Sequence, residues 1–352
     1  MPAVACHAFF TFLPVALAFL GLAWGGAWLF AAPAWSLGLA VLLDMVVPPA
    51  RRTAPAEGAA RRWMGLLTWA VLPAVAGLIL YGMHVAATRD LAWWEWLGAA
   101  SAVGTVSGGI GITCAHELVH RRSAFERGLG VGLLSLVLYA HFRIEHVHGH
   151  HRRIATPDDP ATARLGESVW AFYARTVPGQ WRSAWRLEAE RLARRGRAAW
   201  SPRNRMLHYL AIQGGLLAAA WALFGAAGLL FLVWQAVAAV QLLETVNYVE
   251  HYGLARGPGR QDGYEPVRPV HSWDSGHRLT NWALFNLGLH ADHHTHAGKP
   301  YAELSLAAES PKMPTGYSGM VLLALVPPLW FRVMDGRVLA WRSAGGAAYA
   351  AE

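Results

Sequence analysis

Long apolar runs alternate with polar, arginine-rich stretches along this chain of 352 residues. Six runs approach the length of about 20 residues that an α-helix needs to cross the hydrocarbon core of a bilayer. The second run is short, which indicates a tilted helix or one continuous with its neighbour. The pattern predicts an all-α integral membrane protein with about six transmembrane helices. The runs cover residues 9–30, 34–47, 64–81, 91–113, 206–224 and 226–245.

Tight turns are expected where two of these runs meet. Pro33 separates the first two runs and Gly225 separates the last two, so each pair is predicted to form a helical hairpin. Two other apolar stretches are too short or too interrupted to cross a membrane. The stretch 129–140 is expected to be a re-entrant or buried helix. The stretch 320–331, which holds two adjacent prolines, is expected to lie at the interface or against a polar cap.

Basic residues lie almost entirely on one side of the predicted spans. Arginines follow the second and fourth runs in number, whereas the opposite side carries little beyond Arg89. The positive-inside rule then places both termini and both long polar stretches in the cytoplasm. The predicted division is four transmembrane helices in 1–114, a cytoplasmic segment in 115–205, two transmembrane helices in 206–246, and a second cytoplasmic segment with a C-terminal interfacial region in 247–352.

Composition agrees with a membrane protein. Hydrophobic residues make up 55% of the chain and charged residues 15%, which is too apolar for an ordinary soluble domain. The formal net charge of +8 favours an anionic lipid surface or an acidic partner protein. Nucleic acid is not expected as a partner, because the arginines lie in loops between apolar runs. The start of the chain has no basic region before its long apolar run, so a retained helix is predicted rather than a cleaved signal peptide.

The two cysteines and one arginine-rich segment bear on other possible functions. Cys6 and Cys114 are isolated, so neither a thiolate metal site nor a disulfide framework is expected. The segment 182–197 is dense in arginine and alanine. It is either a solvated amphipathic helix or a surface for a partner or lipid.

Histidines carry the chemistry that the sequence suggests. Of 17 histidines, 15 fall between His116 and His296. Imidazoles four residues apart share one face of a helix, so one metal ion can bind both. This spacing recurs within the clusters. The clusters occupy residues 116–120, 145–151, 247–254 and 290–294.

The number of clustered imidazoles favours a dinuclear site over a single zinc ion. Zinc takes about four ligands, whereas the clusters offer enough for two metals with four or five histidines each. Neutral imidazole binds iron, copper, nickel and zinc alike, so the spacing does not name the metal. The histidines expected to pack or form hydrogen bonds instead are His141, His148, His208, His277 and His296.

Imidazole ligands need outer partners that fix their tautomers. Carboxylates beside the clusters are candidates, and each could equally be solvated or ion-paired. Asp44, inside the second apolar run, is either a functional intramembrane carboxylate or an interfacial one. The residues predicted to support the ligands are Glu117, Glu145, Glu250, Asp292, Asn247 and His271. No substrate-binding residue is assigned from the sequence.

In their order along the chain, these motifs resemble the membrane-bound alkane 1-monooxygenase family, with the related xylene-type monooxygenases and the wider desaturase-like superfamily. The resemblance extends from His116 to Asp335 and includes residues 155–160, 271–273 and 313–317. It implies a six-helix membrane domain under a cytoplasmic cap that holds two iron ions. The iron ligands it implies are His116, His120, His146, His150, His151, His251, His290, His293 and His294.

The resemblance also implies an activity. It implies O2-dependent hydroxylation of a terminal or methyl C–H bond of a hydrophobic substrate, a medium- or long-chain alkane, to a primary alcohol. The electrons would come from rubredoxin and its NADH-linked reductase, and the enzyme would lie in the inner membrane with its site on the cytoplasmic side. Arg121 replaces the usual lysine, and Gly288 and Leu289 replace Gln-Arg. Aromatic-methyl or terpenoid substrates therefore remain alternatives, as does desaturation.

Two other classes explain less of the sequence. An intramembrane zinc protease would use His116, His120 and Asp335, and it would leave the other seven clustered histidines without a role. A metal transporter would carry its histidines along the spans, whereas these gather on one side.

Overall fold

The computed structural model describes residues 1–51, 53–259 and 263–346. Within these ranges the regular structure is helical, apart from two isolated β-bridges that join Pro258 to Tyr264 and Asp274 to Lys312. The prediction of an all-α integral membrane protein is confirmed. The division into two membrane and two cytoplasmic segments stays a prediction, and its last residues, 347–352, lie outside the described ranges.

The helices fall into spans and shorter elements above them. The long helices of the first part are α1 (Pro2–Trp24), α2 (Gly26–Val46), α3 (Gly58–Thr88) and α4 (Trp93–Val119), each long and apolar enough to cross a membrane. They are followed by α5 (Ala124–Leu136), α6 (142–153), α7 (Val169–Ala193), α8 (Arg205–His251), α9 (Arg278–Ala283), α10 (His290–Thr295), α11 (Tyr317–Ala324) and α12 (Pro327–Trp341).

The helix α8 contains two spans. Its 47 residues would extend about 70 Å as one straight helix, more than twice the hydrocarbon core. The helix breaks at Gly225, whose φ of 64° lies in the left-handed region that favours glycine. A Cβ at Gly228 would lie 3.6 Å from the carbonyl oxygen of Ala220, so the chain turns back there. The hairpin predicted at Gly225 is confirmed, and the spans then number six in the described ranges.

The predicted turn at Pro33 is wrong. The chain turns instead at Gly25 and Gly26, whose φ values are 74° and 56°, a conformation that only glycine adopts without strain. Pro33 follows a 3₁₀ segment, Gly26–Phe30, and lies inside α2. The second span therefore has 21 residues rather than the short run read from the sequence, which is enough to cross the core.

Close packing places α4 at the centre of the membrane domain. A Cβ at Gly108 would lie 2.8 Å from the Cα of Ala239 on α8, so the two backbones approach as only small residues permit. The hydroxyl of Ser107 donates to Gln235 at 2.7 Å, and Gln235 donates to the Leu136 carbonyl at 2.9 Å. These polar links fix α4, whose last turn carries His116.

The shorter apolar stretches pack on the protein, and their positions relative to the membrane stay predictions. The stretch 129–140 forms most of α5, and its Leu133 and Leu134 are buried against the core. The stretch 320–331 forms parts of α11 and α12, which bend by 119°. Trp330 is fully buried there and its ring centroid lies 5.0 Å from that of Tyr248. This part of the chain therefore packs against the end of α8.

Two features left open by the sequence are placed by the structure. Asp44 is buried, and its Oδ1 accepts a hydrogen bond from the backbone amide of Leu279 at 3.1 Å. Asp44 thus joins α2 to the start of α9. The segment 182–197 belongs mostly to α7, which buries Ala184 and Leu192 and exposes Arg186. It is an amphipathic helix, and its use as a surface for a partner or lipid stays a prediction.

Candidate metal centre

Four separate parts of the chain bring histidines to one place. They are the end of α4, the helix α6, the end of α8 and the short helix α10. The histidines form two groups, and within each group one nitrogen per ring lies within 4.8 Å of the others. The first group is His116, His120, His146, His151 and His293, and the second is His150, His251, His290 and His294. These are the nine histidines that the family resemblance implied as ligands.

The helix α6 distributes its histidines between the two groups because it is not a regular α-helix. Residues His146–His150 form a π-helical turn, in which residues five apart rather than four share a face. The Nε2 atoms of His146 and His151 therefore lie 3.0 Å apart in the first group, while His150 joins the second. The pairing of His146 with His150 on one metal, which α-helical spacing suggests, is wrong.

The spacing of the ring nitrogens fits metal ligation. The Nε2 atoms of His151 and His293 lie 3.1 Å apart, and those of His290 and His294 lie 2.9 Å apart. Two imidazole nitrogens bound at right angles to one ion, at about 2.1 Å each, are roughly 3.0 Å from each other. The chain therefore contains a histidine-rich metal site.

Several of these nitrogens have no hydrogen-bond partner in the described ranges. Nε2 of His116, of His120 and of His150 is buried without a hydrogen-bond partner there. Buried polar atoms without partners are uncommon and costly. Metal ions bound in the two groups would satisfy all three, His116 and His120 in the first group and His150 in the second.

Burial keeps most of these rings in the neutral form that binds metal. Burial, reinforced by the neighbouring histidines, lowers the pKa of His120 to about 3. The same causes lower the pKa of His146 and of His293 well below the ordinary value. Neutral imidazole offers a free lone pair, so the rings are ready to bind metal without first losing a proton.

Asp159 is a partner that adjacency in the sequence did not reveal. Its Oδ2 lies 2.8 Å from Nδ1 of His150 and also accepts from the Thr162 hydroxyl at 2.6 Å. Burial favours the neutral imidazole, but Asp159 outweighs it and raises the pKa of His150. A carboxylate at Nδ1 fixes the tautomer that leaves Nε2 free for a metal. The available signal was its position in the 155–160 motif.

Glu250 is the predicted supporting residue that lies against a clustered ring. Its Oε1 is 3.2 Å from Nδ1 of His290 and accepts from the Tyr317 hydroxyl at 2.7 Å. Glu250 and Asp159 therefore each lie beside a different ring of the second group. That Glu250 tunes a ligand stays a prediction.

The other predicted carboxylates have partners outside the clusters. Glu117 accepts from the Tyr301 amide at 3.1 Å and pairs with Arg121 at 2.6 Å. Glu145 pairs with Arg153 at 2.7 Å. Arg121, which departs from the family's usual lysine, therefore holds the carboxylate next to His116.

Asp292 joins loops rather than supporting a clustered ring. Its oxygens accept from Lys299 at 2.6 Å, from the Ser305 amide at 2.8 Å, and lie 2.8 Å from Nδ1 of His296. These contacts fix the position of the short helix α10, which carries three of the histidines.

Asn247 and His271, the last two residues predicted to support the ligands, also have partners outside the clusters. Asn247 donates to Glu244 at 3.1 Å, and His271 lies 3.0 Å from Glu265. Asn247 nevertheless reaches the site, because it lines the cavity described next. The histidines outside both groups are His7, His84, His141, His148, His208, His271, His277 and His296.

A narrow cavity of about 20 Å³ lies between the histidines and the membrane spans. One side consists of histidine rings and the other consists mainly of apolar residues from α4, α8 and the loop before α10. Its volume leaves room for only a small group beside the rings. The lining residues are Gly108, Ile112, Thr113, His116, Phe142, His146, Leu243, Val246, Asn247, Glu250, Leu287 and His290.

Comparisons with known proteins identify the family of the chain. Residues 91–323 match the fatty acid desaturase family. An alkane 1-monooxygenase 1 of Pseudomonas aeruginosa is 41% identical over 89% of this chain and 84% of its own length. A second alkane 1-monooxygenase of that organism is 39% identical over 92% and 87%. The xylene/toluene monooxygenase hydroxylase component XylM of Pseudomonas putida is 27% identical over 90% and 84%. The chain therefore belongs to the alkane 1-monooxygenase family within the fatty acid desaturase family.

Proposed function

We propose that this protein hydroxylates the terminal C–H bond of a medium- or long-chain alkane to a primary alcohol, using O2 and a histidine-bound pair of iron ions. The observation that carries the proposal is the convergence of nine imidazoles into adjoining groups of five and four. Relatives named alkane 1-monooxygenase share about two fifths of the sequence over most of the chain.

The nine clustered histidines are the proposed iron ligands. Iron bound there supplies the O2 activation and oxidising power that an unactivated C–H bond requires. The protein contributes orientation, since Asp159 shares a hydrogen bond with Nδ1 of His150 and Glu250 lies 3.2 Å from Nδ1 of His290. Two groups of ligands that adjoin within one buried cluster support a dinuclear centre rather than a mononuclear one.

The narrow cavity is the proposed position of the reacting carbon. Phe142, Leu243 and Leu287 supply apolar walls beside the His116 and His290 rings. These walls exclude water and hold the end of the substrate against the site. A volume of about 20 Å³ suits the unbranched end of a chain better than a ring. Hydrocarbons concentrate in the bilayer, so the substrate would enter from among the spans.

The electron donor proposed is rubredoxin, reduced by its NADH-linked reductase. Exposed arginines on the histidine side, among them Arg152, Arg164 and Arg182, would attract an acidic protein electrostatically. The same bias supports an inner-membrane protein whose active site and both termini face the cytoplasm.

The decisive experiment combines product analysis with metal analysis. Membranes that contain the protein, rubredoxin, its reductase and NADH are supplied with alkanes, p-xylene and a terpene under O2. The proposal expects a terminal alkanol from the alkanes and about two iron ions per chain. A chain with one zinc ion and no iron would contradict it, and an alkene as the main product would identify a desaturase.

The similarity to XylM supports a second candidate, an aromatic-methyl hydroxylase. The same experiment separates the two candidates, because the second expects p-xylene to be oxidised faster than any alkane.

A further inference from the structure

A long apolar groove runs along the flank of the protein between α7, the second half of α8 and residues 137–141. Its volume is about 600 Å³. Val177 and Trp181 of α7 form one wall, and Val233 and Val237 of α8 form the other. The groove is separate from the narrow cavity at the metal centre, and the proposed reaction does not use it.

One buried polar side chain in this groove has no partner. His141 is only 3% exposed, and neither of its ring nitrogens has a hydrogen-bond partner in the described ranges. Its ring packs between Tyr139 and Trp181, at centroid distances of 4.2 and 5.0 Å. Burial lowers the pKa of His141 to about 3, so the ring is neutral and offers one donor and one acceptor. A ligand with a polar group would satisfy it.

The polar groups of the groove gather at one end. Glu244 lies there, and its two oxygens receive hydrogen bonds from Tyr139 at 2.9 Å, Gln180 at 2.8 Å, Thr176 at 3.2 Å and Asn247 at 3.1 Å. These contacts make this end of the groove polar, beside the unpaired imidazole.

The other end of the groove is apolar and open toward lipid. Val233 and Val237 are 38% and 49% exposed on a helix that spans the membrane. From Val233 to Glu244 the helix rises about 16 Å. The groove thus has the length and the polarity gradient of an amphiphile with a small head and a long tail.

We propose that this groove binds a long-chain primary alcohol, with its hydroxyl at His141 and its chain along α8 toward Val233. A hydroxyl both donates and accepts, so it can pair with either nitrogen of the neutral ring. An alkane would leave His141 unpaired. The carboxylate of a fatty acid would find no lysine or arginine among the lining residues, and an unpaired charge is costly to bury in an apolar groove.

This inference rests on the proposed function in one respect, because a primary alcohol is the product of that reaction. Glu244 binds Asn247, and Asn247 lines the narrow cavity at the metal centre. A single turn of α8 therefore separates the two spaces. The groove is placed to receive the alcohol on its way from the metal centre to the bilayer.

Binding to the iron-loaded protein in lipid nanodiscs tests the site without turnover. The probe is a dodecanol with a photoreactive diazirine at the end of its tail. Labelling is expected on residues 233–240 of α8, with competition by unlabelled dodecanol and much weaker competition by dodecane or dodecanoate. Labelling elsewhere, or equal competition by all three, would overturn the proposal.

Matched variants isolate the imidazole. His141→Phe keeps an aromatic ring at this position and removes the ring nitrogens. The affinity for dodecanol should therefore fall roughly three- to tenfold, which corresponds to one hydrogen bond. The affinity for dodecane should stay unchanged. His84→Phe, on the exposed surface of α3, should change neither. Val237→Trp fills the groove with His141 intact and should also weaken dodecanol binding. Unchanged dodecanol affinity in either groove variant would reject the site.

The two proposals can fail separately. Dodecanol binding in the groove of a protein that yields no alkanol from alkanes would reject the proposed function and keep the site. Alkanol production with no labelling of the groove would keep the proposed function and reject the site.

Discussion

Oδ2 of Asp159 lies 2.8 Å from Nδ1 of His150, and both side chains are buried. The contact orients the ring so that Nε2, which has no partner in the described ranges, faces the other imidazoles of its group. Because the two residues are nine positions apart, their pairing depends on the bend of the chain after α6.

Replacing Asp159 should weaken metal binding without abolishing the fold. Loss of a carboxylate that orients a ligand typically costs 10- to 100-fold in metal affinity, so Asp159→Asn should lose iron to a chelator at correspondingly lower chelator concentration. Asp158→Asn is the control, because Asp158 is adjacent and exposed. Equal iron retention by both variants would show that Asp159 does not support the site.

Replacing a histidine of either group should lower the iron content, whereas replacing a nearby histidine outside the groups should not. His150→Ala removes a ligand from the group of four, and we expect iron per chain to fall from about two toward one, with loss of alkane hydroxylation. His148→Ala lies two residues away and outside both groups, so it should keep its iron. Metal analysis and alkanol yield measure both effects, and wild-type iron in His150→Ala would remove that residue from the ligand set.

The packing of α4 on α8 should be sensitive to a single methyl group. Gly108→Ala places a Cβ 2.8 Å from the Cα of Ala239, and the backbones must separate. We expect destabilisation of about 1–3 kcal/mol, seen as a lower unfolding temperature in detergent. Gly109→Ala is the control, since its Cβ would meet Leu242 at an ordinary 3.7 Å. Similar unfolding temperatures for the two variants would contradict the close approach.

Glu188 should make the stability of the protein depend on pH in the acid range. Its carboxylate joins α7 to the start of α8 by pairing with Arg191 at 2.6 Å and Arg205 at 2.7 Å. Burial alone would raise its pKa, but the hydrogen bonds from the two arginines lower it to about 2. Because the folded pKa is depressed, the stabilisation is complete above the ordinary value of 4.5 and is lost as pH falls from there toward 2.

The variant Glu188→Gln should therefore be less stable than the wild type at neutral pH, by about 1–3 kcal/mol, and the difference should shrink as the pH falls below 4.5. Glu190→Gln, exposed on the same helix, is the control. Thermal unfolding between neutral pH and pH 3 measures the difference, and a constant gap across this range would contradict the ion pairs.

The length and hydropathy of the apolar runs were sufficient to predict the helical class and the membrane spans. Both signals are local, since a span needs only enough consecutive apolar residues. The turn at Gly225 was predicted because glycine marks such turns. The turn at Gly25 was missed because Pro33 appeared to be the stronger break, although proline is tolerated early in a helix after a 3₁₀ segment.

The sequence by itself determined which parts of the chain carry the metal centre, because histidines at helical spacing form clusters that are visible locally, and the nine histidines that gather there were implied by the family resemblance of these motifs. The tertiary structure decided how they divide. A π-helical turn sends His150 to a different group from His146, and Asp159 reaches His150 only through the folded chain. The apolar groove between α7 and α8 could not be predicted from the sequence either, since it depends on how these two helices pack. Such contacts arise from packing between distant segments, which no local pattern encodes.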